Sequence, residues 1–385
     1  MEDFLLLGEQ YSEEEKLIQQ STRQTVQSWG NNGFAQAYEQ GLLPDKAFEK
    51  LAVLGLFGLT LSPQIGGAGA TYTAYGLACQ ELERGDSGLR SAASVQNSLC
   101  IYPIALFGSE EQQKNWLPKM ISGEVIWCFG LTEPDAGSDP SSMRTTATPV
   151  EKGWSLNGSK MWITNATLAH LAIIWAKTPS GIQGFLVPTD SKGFSVKAIH
   201  HKLSLRASDT GEISLDNCFI PEANRLPKTE QGLSCALKCL TQARFGIAWG
   251  AMGAAMACYE TALEYTQTRQ QFGRPLAGFQ LVQKSLVDMF TEIVKTQAVN
   301  LQVAKLMDAK KASYIHVSFA KRNACQQALK IAREARNLLG ANGISGEYPV
   351  MRHLQNLETV FTYEGTDNMH TLIIGRHLTE LAAFE

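Results

Sequence analysis

The sequence predicts a mainly α fold with a central β domain. Three observations carry this: helical apolar spacing up to about Ile121, short apolar runs of period two between about Trp127 and Pro221, and long helical periodicity from about Gly232 to the carboxyl end. At 385 residues, 44% hydrophobic and 18% charged, the chain exceeds one ordinary core and divides at 1–125, 126–230 and 231–385. In the first segment Ser12 with Glu15, and Ser109 with Gln112, have the spacing of capping boxes, and Leu17, Ile18, Val26 and Trp29 supply an apolar stripe. Gly66-Gly67-Ala68-Gly69 fits neither dinucleotide-loop nor Walker spacing and reads as a turn.

In the middle segment Asn157-Gly158-Ser159-Lys160 separates two apolar triplets, 154–156 and 161–163. Asn-Gly readily takes positive backbone angles, so a hairpin is expected there. Residues 171–176, 184–187 and 213–219 read as further strands. Beyond them, periodic runs over 243–267, 280–307 and 314–339 predict long antiparallel helices in a bundle, with no internal repeat.

A formal charge of -3 and the absence of like-charge runs leave no footprint for nucleic acid or an anionic membrane, so an anionic ligand must be captured locally. No segment reaches the roughly 18 consecutive apolar residues of a membrane span. The amino terminus shows neither a secretory signal nor a transit peptide, and a cytoplasmic protein, or a processed mitochondrial matrix chain, is expected. The eight cysteines are scattered, and the close pair Cys235 and Cys239 lacks further ligands, so no metal is expected and the cysteines read as small buried residues in a reducing compartment.

Chemistry concentrates in Thr362-Tyr363-Glu364-Gly365-Thr366, which puts a carboxylate on a glycine-marked turn ahead of a helical run over 369–381. In dry surroundings Glu364 can act as a general base; otherwise it is a dipole-favourable helix cap. Further blocks are Phe129-Gly130-Leu131-Thr132-Glu133-Pro134-Asp135-Ala136-Gly137-Ser138-Asp139, Trp162-Ile163-Thr164-Asn165, Arg269-Gln270-Gln271-Phe272-Gly273 with Gln280, and Asn337-Leu338-Leu339-Gly340-Ala341-Asn342-Gly343.

Together these blocks resemble the acyl-CoA dehydrogenase family of flavoproteins, nearly end to end. The resemblance implies an N-terminal helical domain, a middle β domain, a C-terminal four-helix bundle and FAD as cofactor. It implies that Phe129, Leu131, Thr132, Gly137 and Ser138 line the flavin, Ser138 also lying near the substrate thioester; small residues and a hydroxyl suit that close approach. Trp162, Ile163 and Thr164 correspond to the segment over the flavin face, the indole packing on the ring and the Thr164 hydroxyl reaching N5. Arg269, Phe272 and Gln280 correspond to residues that reach the adenosine-pyrophosphate of a neighbouring subunit's FAD, a task suited to a planar guanidinium. Asn337, Gly340 and Ala341 belong to the companion segment, where many members carry glutamine and glycine instead of Asn337 and Ala341. Thr366, Asn368 and Phe384 match further FAD contacts.

By the same resemblance Glu364 is the base that removes the α proton while the β hydrogen leaves as hydride. The main-chain N–H of the base helps to hold the thioester oxygen, and Arg244, Tyr363 and Gly365 border the substrate. Some subfamilies carry the base at the position of Ala243, which here leaves Glu364 without a rival. The stretch Asp86-Ser87-Gly88-Leu89-Arg90-Ser91, with Glu83 and Tyr363, is most similar to family members acting on glutaryl-CoA. Arg90, assisted by Ser91, would then bind the free γ-carboxylate; the competing reading pairs Arg90 structurally with Asp86 or Glu83. The expected reaction is oxidation and decarboxylation of glutaryl-CoA to crotonyl-CoA, with electron-transferring flavoprotein as acceptor and a homotetrameric assembly. Alternatives are a dehydrogenase for short or branched neutral chains, a form that stops at glutaconyl-CoA, an oxygen-using oxidase, and a non-catalytic FAD- or CoA-binding protein.

Overall fold

The computed structural model describes residues 3–383. The chain opens with helices α1 (Glu13–Gln27), α2 (Gly30–Gln40), α3 (Ala47–Val53), α4 (Tyr72–Gly85), α5 (Ser87–Ser94), α6 (Tyr102–Phe107) and α7 (Glu110–Ile121). Both expected capping boxes form. Ser12 Oγ accepts from the Glu15 N–H at 3.2 Å while the Glu15 carboxylate accepts from the Ser12 N–H at 2.8 Å, and Ser109 and Gln112 repeat the exchange. Each such cap contributes about 1 kcal/mol. Residues 66–69 form the expected turn, closed by Gly69 N–H to the Leu61 carbonyl at 2.8 Å. Between α5 and α6 runs a π-helical segment, Val95–Ile101, a widening that tends to accompany functional sites.

Strands follow: β1 (Trp127–Gly130), β2 (Thr146–Val150), β3 (Gly153–Thr164), β4 (Leu171–Thr178), β5 (Gly181–Pro188), β6 (Phe194–Ala198) and β7 (Thr210–Pro221). β5 pairs antiparallel along the whole of β4; β1 and the start of β2 pair parallel to β4, and β2-β3-β7-β6 continue antiparallel. The apolar run 171–176 is explained by burial on both faces. Leu171, Ile173 and Trp175 face the helical core, whereas Ala172, Ile174 and Ala176 face the core of the sheet, the alternation of a period-two chain.

The expected Asn-Gly hairpin is absent. Residues 157–160 lie inside β3, which runs unbroken from Gly153 to Thr164. Gly158 (φ 145°) instead makes a bulge against β7, with the register shifting between Leu156 and Gly158, and Asn157 Oδ1 accepts from the Asn217 N–H at 2.8 Å. The positive-angle preference is thus used for a kink in a long strand, and the two-residue turn before β3 is Glu151-Lys152.

The rest is helical: α8 (Leu233–Thr268), a short β8 (Gln270–Gln271) and β9 (Arg274–Pro275) ribbon, then α9 (Gln280–Asp308), α10 (Tyr314–Leu338), α11 (Pro349–Thr362) and α12 (Asp367–Thr379). Helices α8 to α11 pack on one another as a bundle, α12 packs on α10, and α4 lies against α8, joining the first layer to the last. α8 begins where helical periodicity was expected to return, at about Gly232, and reaches ahead of the long run over 243–267 because Cys235, Ala236 and Cys239 continue its buried stripe with small residues that carry weak periodic signal. All eight cysteines are free and buried. Among the described residues no helix is long and apolar enough to cross a membrane.

Candidate active site

α11 ends at Thr362, and the chain must reverse before Thr366, whose Oγ1 caps α12 by accepting from the Met369 N–H at 3.2 Å. Glu364 (φ 54°) and Gly365 (φ 101°) take left-handed angles to make that turn. Glutamate is strained there and needs outside support. Two buried cations supply it. Lys321 Nζ on α10 donates to the Tyr363 carbonyl at 3.0 Å and the Gly365 carbonyl at 2.8 Å, and Arg244 Nε on α8 donates to the Glu364 carbonyl between them at 2.7 Å. The Glu364 carboxylate itself is left open: its Oε2 is buried with no protein partner. Burial raises its pKa above the ordinary carboxylate range, opposed by the charges of Arg90, Arg244 and Lys321. A carboxylate of raised pKa with one oxygen buried and unpartnered is suited to proton abstraction. His370 on α12 lies beside Gly365 with both ring nitrogens unpartnered, and burial, then the charges of Lys321 and Arg244, lower it to about 2, so the ring is neutral.

Arg90 faces this turn from α5. Asp86 starts the helix, its carboxylate accepting from the Gly88 N–H at 2.7 Å while pairing with Arg352 of α11 at 2.8 Å. Asp86 is therefore not the partner of Arg90. That partner is Glu83, 2.6 Å from Arg90 Nε, both side chains at most 1% exposed. Arg90 Nη2 bonds the Tyr363 hydroxyl. Burial works against the Arg90 charge, but Tyr363 and Glu83 outweigh it and raise its pKa; Glu83, desolvated more than Arg90 compensates, is raised as well. Ser91 is buried one residue on, but helix geometry puts Ser94, one turn away, on the face of Arg90, and Ser94 Oγ has no protein partner. Ser94 was missed in the sequence although the i, i+4 spacing marks it. Lys321 was missed too, since one lysine in a periodic helix carries no local signal.

Gly250 of α8 lets this pair sit directly on the helix. A Cβ there would overlap Glu83 Oε2 and come within 3.0 Å of Arg90 Nε. Gly250→Ala is expected to destabilise the fold by about 1–3 kcal/mol through overpacking, read as a lower Tm, and to weaken acyl-CoA binding as Arg90 is displaced.

The residues expected to line the flavin are tied to the helix that carries Arg90. Asn165, at the end of β3, donates Nδ2–H to the Ala92 carbonyl of α5 at 3.3 Å, which fixes Thr164 close to the helix of Arg90. Along β3, Met161 N–H donates to the Thr132 carbonyl at 2.9 Å, joining the two blocks named for the flavin. Buried Lys160 secures their junction, with Nζ 3.1 Å from the Leu131 carbonyl and 2.7 Å from Glu133 Oε1, while Glu133 also accepts the N–H groups of Arg144 and Thr145. Phe129, Leu131 and Ile163 are buried, Thr132 and Thr164 half-buried, and Gly137 and Ser138 exposed. Trp162 holds a left-handed angle (φ 62°) at a register break and is 58% exposed. An exposed tryptophan beside a loop of small residues fits a flat aromatic cofactor.

A second group stands apart. Arg269 follows α8 about seven turns after Arg244, or roughly 37 Å along the helix. There Phe272 is 92% exposed, and Gln280, Asn337, Gly340 and Ala341 are exposed around the same end, where Asn342 Nδ2 bonds the Tyr265 hydroxyl at 2.9 Å. These residues do not converge on Glu364 within one chain. Asn368 is exposed in the first turn of α12, and Phe384 lies outside the described residues.

Models of the acyl-CoA dehydrogenase N-terminal, middle and C-terminal domains match residues 12–124, 128–218 and 230–379. A glutaryl-CoA dehydrogenase from Mycobacterium smegmatis has 52% identity and a TM-score of 0.95, with 97% of each chain covered. A glutaryl-CoA dehydrogenase from the same organism, in complex with FADH2, has 47% identity and a TM-score of 0.95 at the same coverage. The mitochondrial short-chain specific acyl-CoA dehydrogenase of Homo sapiens is 36% identical over 349 residues, 89% of this chain and 85% of that protein.

Proposed function

The chain belongs to the acyl-CoA dehydrogenase family, and on that premise we propose that it oxidises glutaryl-CoA and decarboxylates the product to crotonyl-CoA, with Glu364 as the acid-base residue. The observation that carries this is the Glu364 carboxylate, buried and unpartnered at Oε2, in the field of Arg90. A base for a carbon acid has no resting hydrogen-bond donor to pair with, because the C–H it attacks is not one. Its cofactor is FAD, which when bound supplies the acceptor for the hydride leaving the β carbon.

In this reading Trp162, Thr164, Thr132 and the loop to Ser138 hold the flavin, and Lys160 with Glu133 fixes that loop from behind. Arg90, oriented by Glu83 through Nε and by Tyr363 through Nη2, turns the rest of its fork toward the γ-carboxylate of the substrate, and Ser94 adds a hydroxyl. Glu364 takes the α proton. After CO2 leaves from the γ-carboxylate, the same protonated carboxyl returns a proton to the terminal carbon, so one residue balances both steps. Arg269, Phe272 and Gln280, far from Glu364 and exposed, would complete a neighbour's cofactor site in a homotetramer, and electron-transferring flavoprotein would take the electrons onward.

A second reading, a short neutral acyl substrate, draws on the Glu83 partner that already neutralises Arg90 and on the likeness to the human short-chain enzyme. Anaerobic incubation with a one-electron acceptor and glutaryl-CoA or, separately, butyryl-CoA, with products read by mass spectrometry, decides between them. Crotonyl-CoA from glutaryl-CoA is the expected result. Glutaconyl-CoA would remove the decarboxylation, and turnover of butyryl-CoA alone would overturn the glutaryl assignment.

A further inference from the structure

We infer that Lys321 is a positioning residue for the Glu364 base, holding the turn on both sides of it through the Tyr363 and Gly365 carbonyls. The inference rests on the reading of Glu364 given above and deepens it. Lys321 is 1% exposed, and the hydrogen-bond partners of its ammonium are both main-chain carbonyls. Burying an ammonium is costly, and two neutral acceptors repay less of that than a carboxylate would. What the arrangement provides is geometric. Residues 363, 364 and 365 present three successive carbonyls, and Lys321 takes the outer two while Arg244 takes the middle one. A left-handed glutamate relaxes to ordinary angles unless its neighbours are pinned, and that relaxation would swing the carboxylate away from the α carbon. Displacement by about 1 Å is enough to cost on the order of a hundredfold in rate.

Lys321 also acts by charge. The charged and titratable groups around this turn are Glu83 and Arg90 from α4 and α5, Arg244 from α8, Lys321, Arg322 and Cys325 from α10, Tyr363 at the end of α11, and Asp367 and His370 on α12, and of these Arg90, Arg244 and Lys321 act on the Glu364 carboxyl. Arg90 and Arg244 remain when Lys321 is neutralised, so the carboxyl loses one of three opposing cations and its pKa rises further.

The test compares Lys321→Met, which removes donors and charge, with Lys321→Gln, which keeps a donor and loses the charge, in the flavin-loaded protein. Flavin bleaching is followed anaerobically, and turnover with a one-electron acceptor, using whichever acyl-CoA the wild type oxidises faster, per bound FAD and across pH. Lys321→Met is expected to lower kcat at least about tenfold with KM within about threefold, and to move the acid limb of the kcat profile up by about one unit. Lys321→Gln should show the same limb shift with a smaller loss of kcat. A merely structural role would lower Tm and leave kcat per bound FAD and the limb unchanged. That outcome, in either variant that folds, overturns the inference. Glu364→Gln run alongside separates the two failures: a fully active Glu364→Gln removes the base and this role with it, whereas an inactive Glu364→Gln beside an unaltered Lys321→Met removes this role alone.

Discussion

Glu364→Gln is expected to slow anaerobic flavin bleaching by about 10²–10⁴-fold, the usual worth of a positioned general base, while the protein still binds FAD and acyl-CoA. The amide keeps the shape of the side chain and cannot accept the α proton. Stopped-flow absorbance measures the rate, and retained binding excludes a folding defect. The same substitution should stabilise the protein at neutral pH. Burial raises the native Glu364 carboxyl, so between the ordinary carboxylate range and that raised value the native state binds more protons than the unfolded chain. Stability therefore falls as pH rises through that window. The amide has no such proton. Thermal melts of the two proteins should show a constant offset below the ordinary carboxylate range and a variant advantage that grows as pH rises above it. Parallel melts throughout would show that Glu364 carries no burial penalty and is not tuned as a base.

Much of this fold was legible as sequence, for reasons particular to its elements. The order of helical, β and helical segments follows from period, because α4, β4 and α8 bury long apolar patterns, and the capping boxes at Ser12 and Ser109 are local signals that need no tertiary partner. The Asn157-Gly158 misreading has an equally local cause. The dipeptide favours positive angles, but whether those angles close a hairpin or kink a strand is decided by the partner, and here β7 continues past the bulge. The support of Glu364 was illegible because it is assembled from α5, α8 and α10, each residue unremarkable in its own helix. Arg90 was named from its stretch, yet its pairing with Glu83 rather than Asp86 depends on Arg352, far along the chain, taking Asp86.

The role of Arg90 is best measured as a ratio. Arg90→Gln alone would leave Glu83 buried without its partner, a loss of about 3–5 kcal/mol in stability that would obscure any effect on substrate. The double variant Glu83→Gln/Arg90→Gln removes both charges and leaves two amides able to bond each other and Tyr363. If Arg90 binds the γ-carboxylate, a charge-assisted contact of about 1.5–3 kcal/mol disappears, and kcat/KM for glutaryl-CoA falls by roughly 10–150-fold relative to that for butyryl-CoA. Any damage to Glu364 through the lost charge affects both substrates and cancels in the ratio. An unchanged ratio would leave Arg90 as a structural partner of Glu83 and Tyr363 and would favour a short neutral acyl group. A ratio that collapses toward butyryl-CoA would tie the recognition of a second carboxylate to this one guanidinium, held by Glu83 and Tyr363 in the pocket that also holds the base.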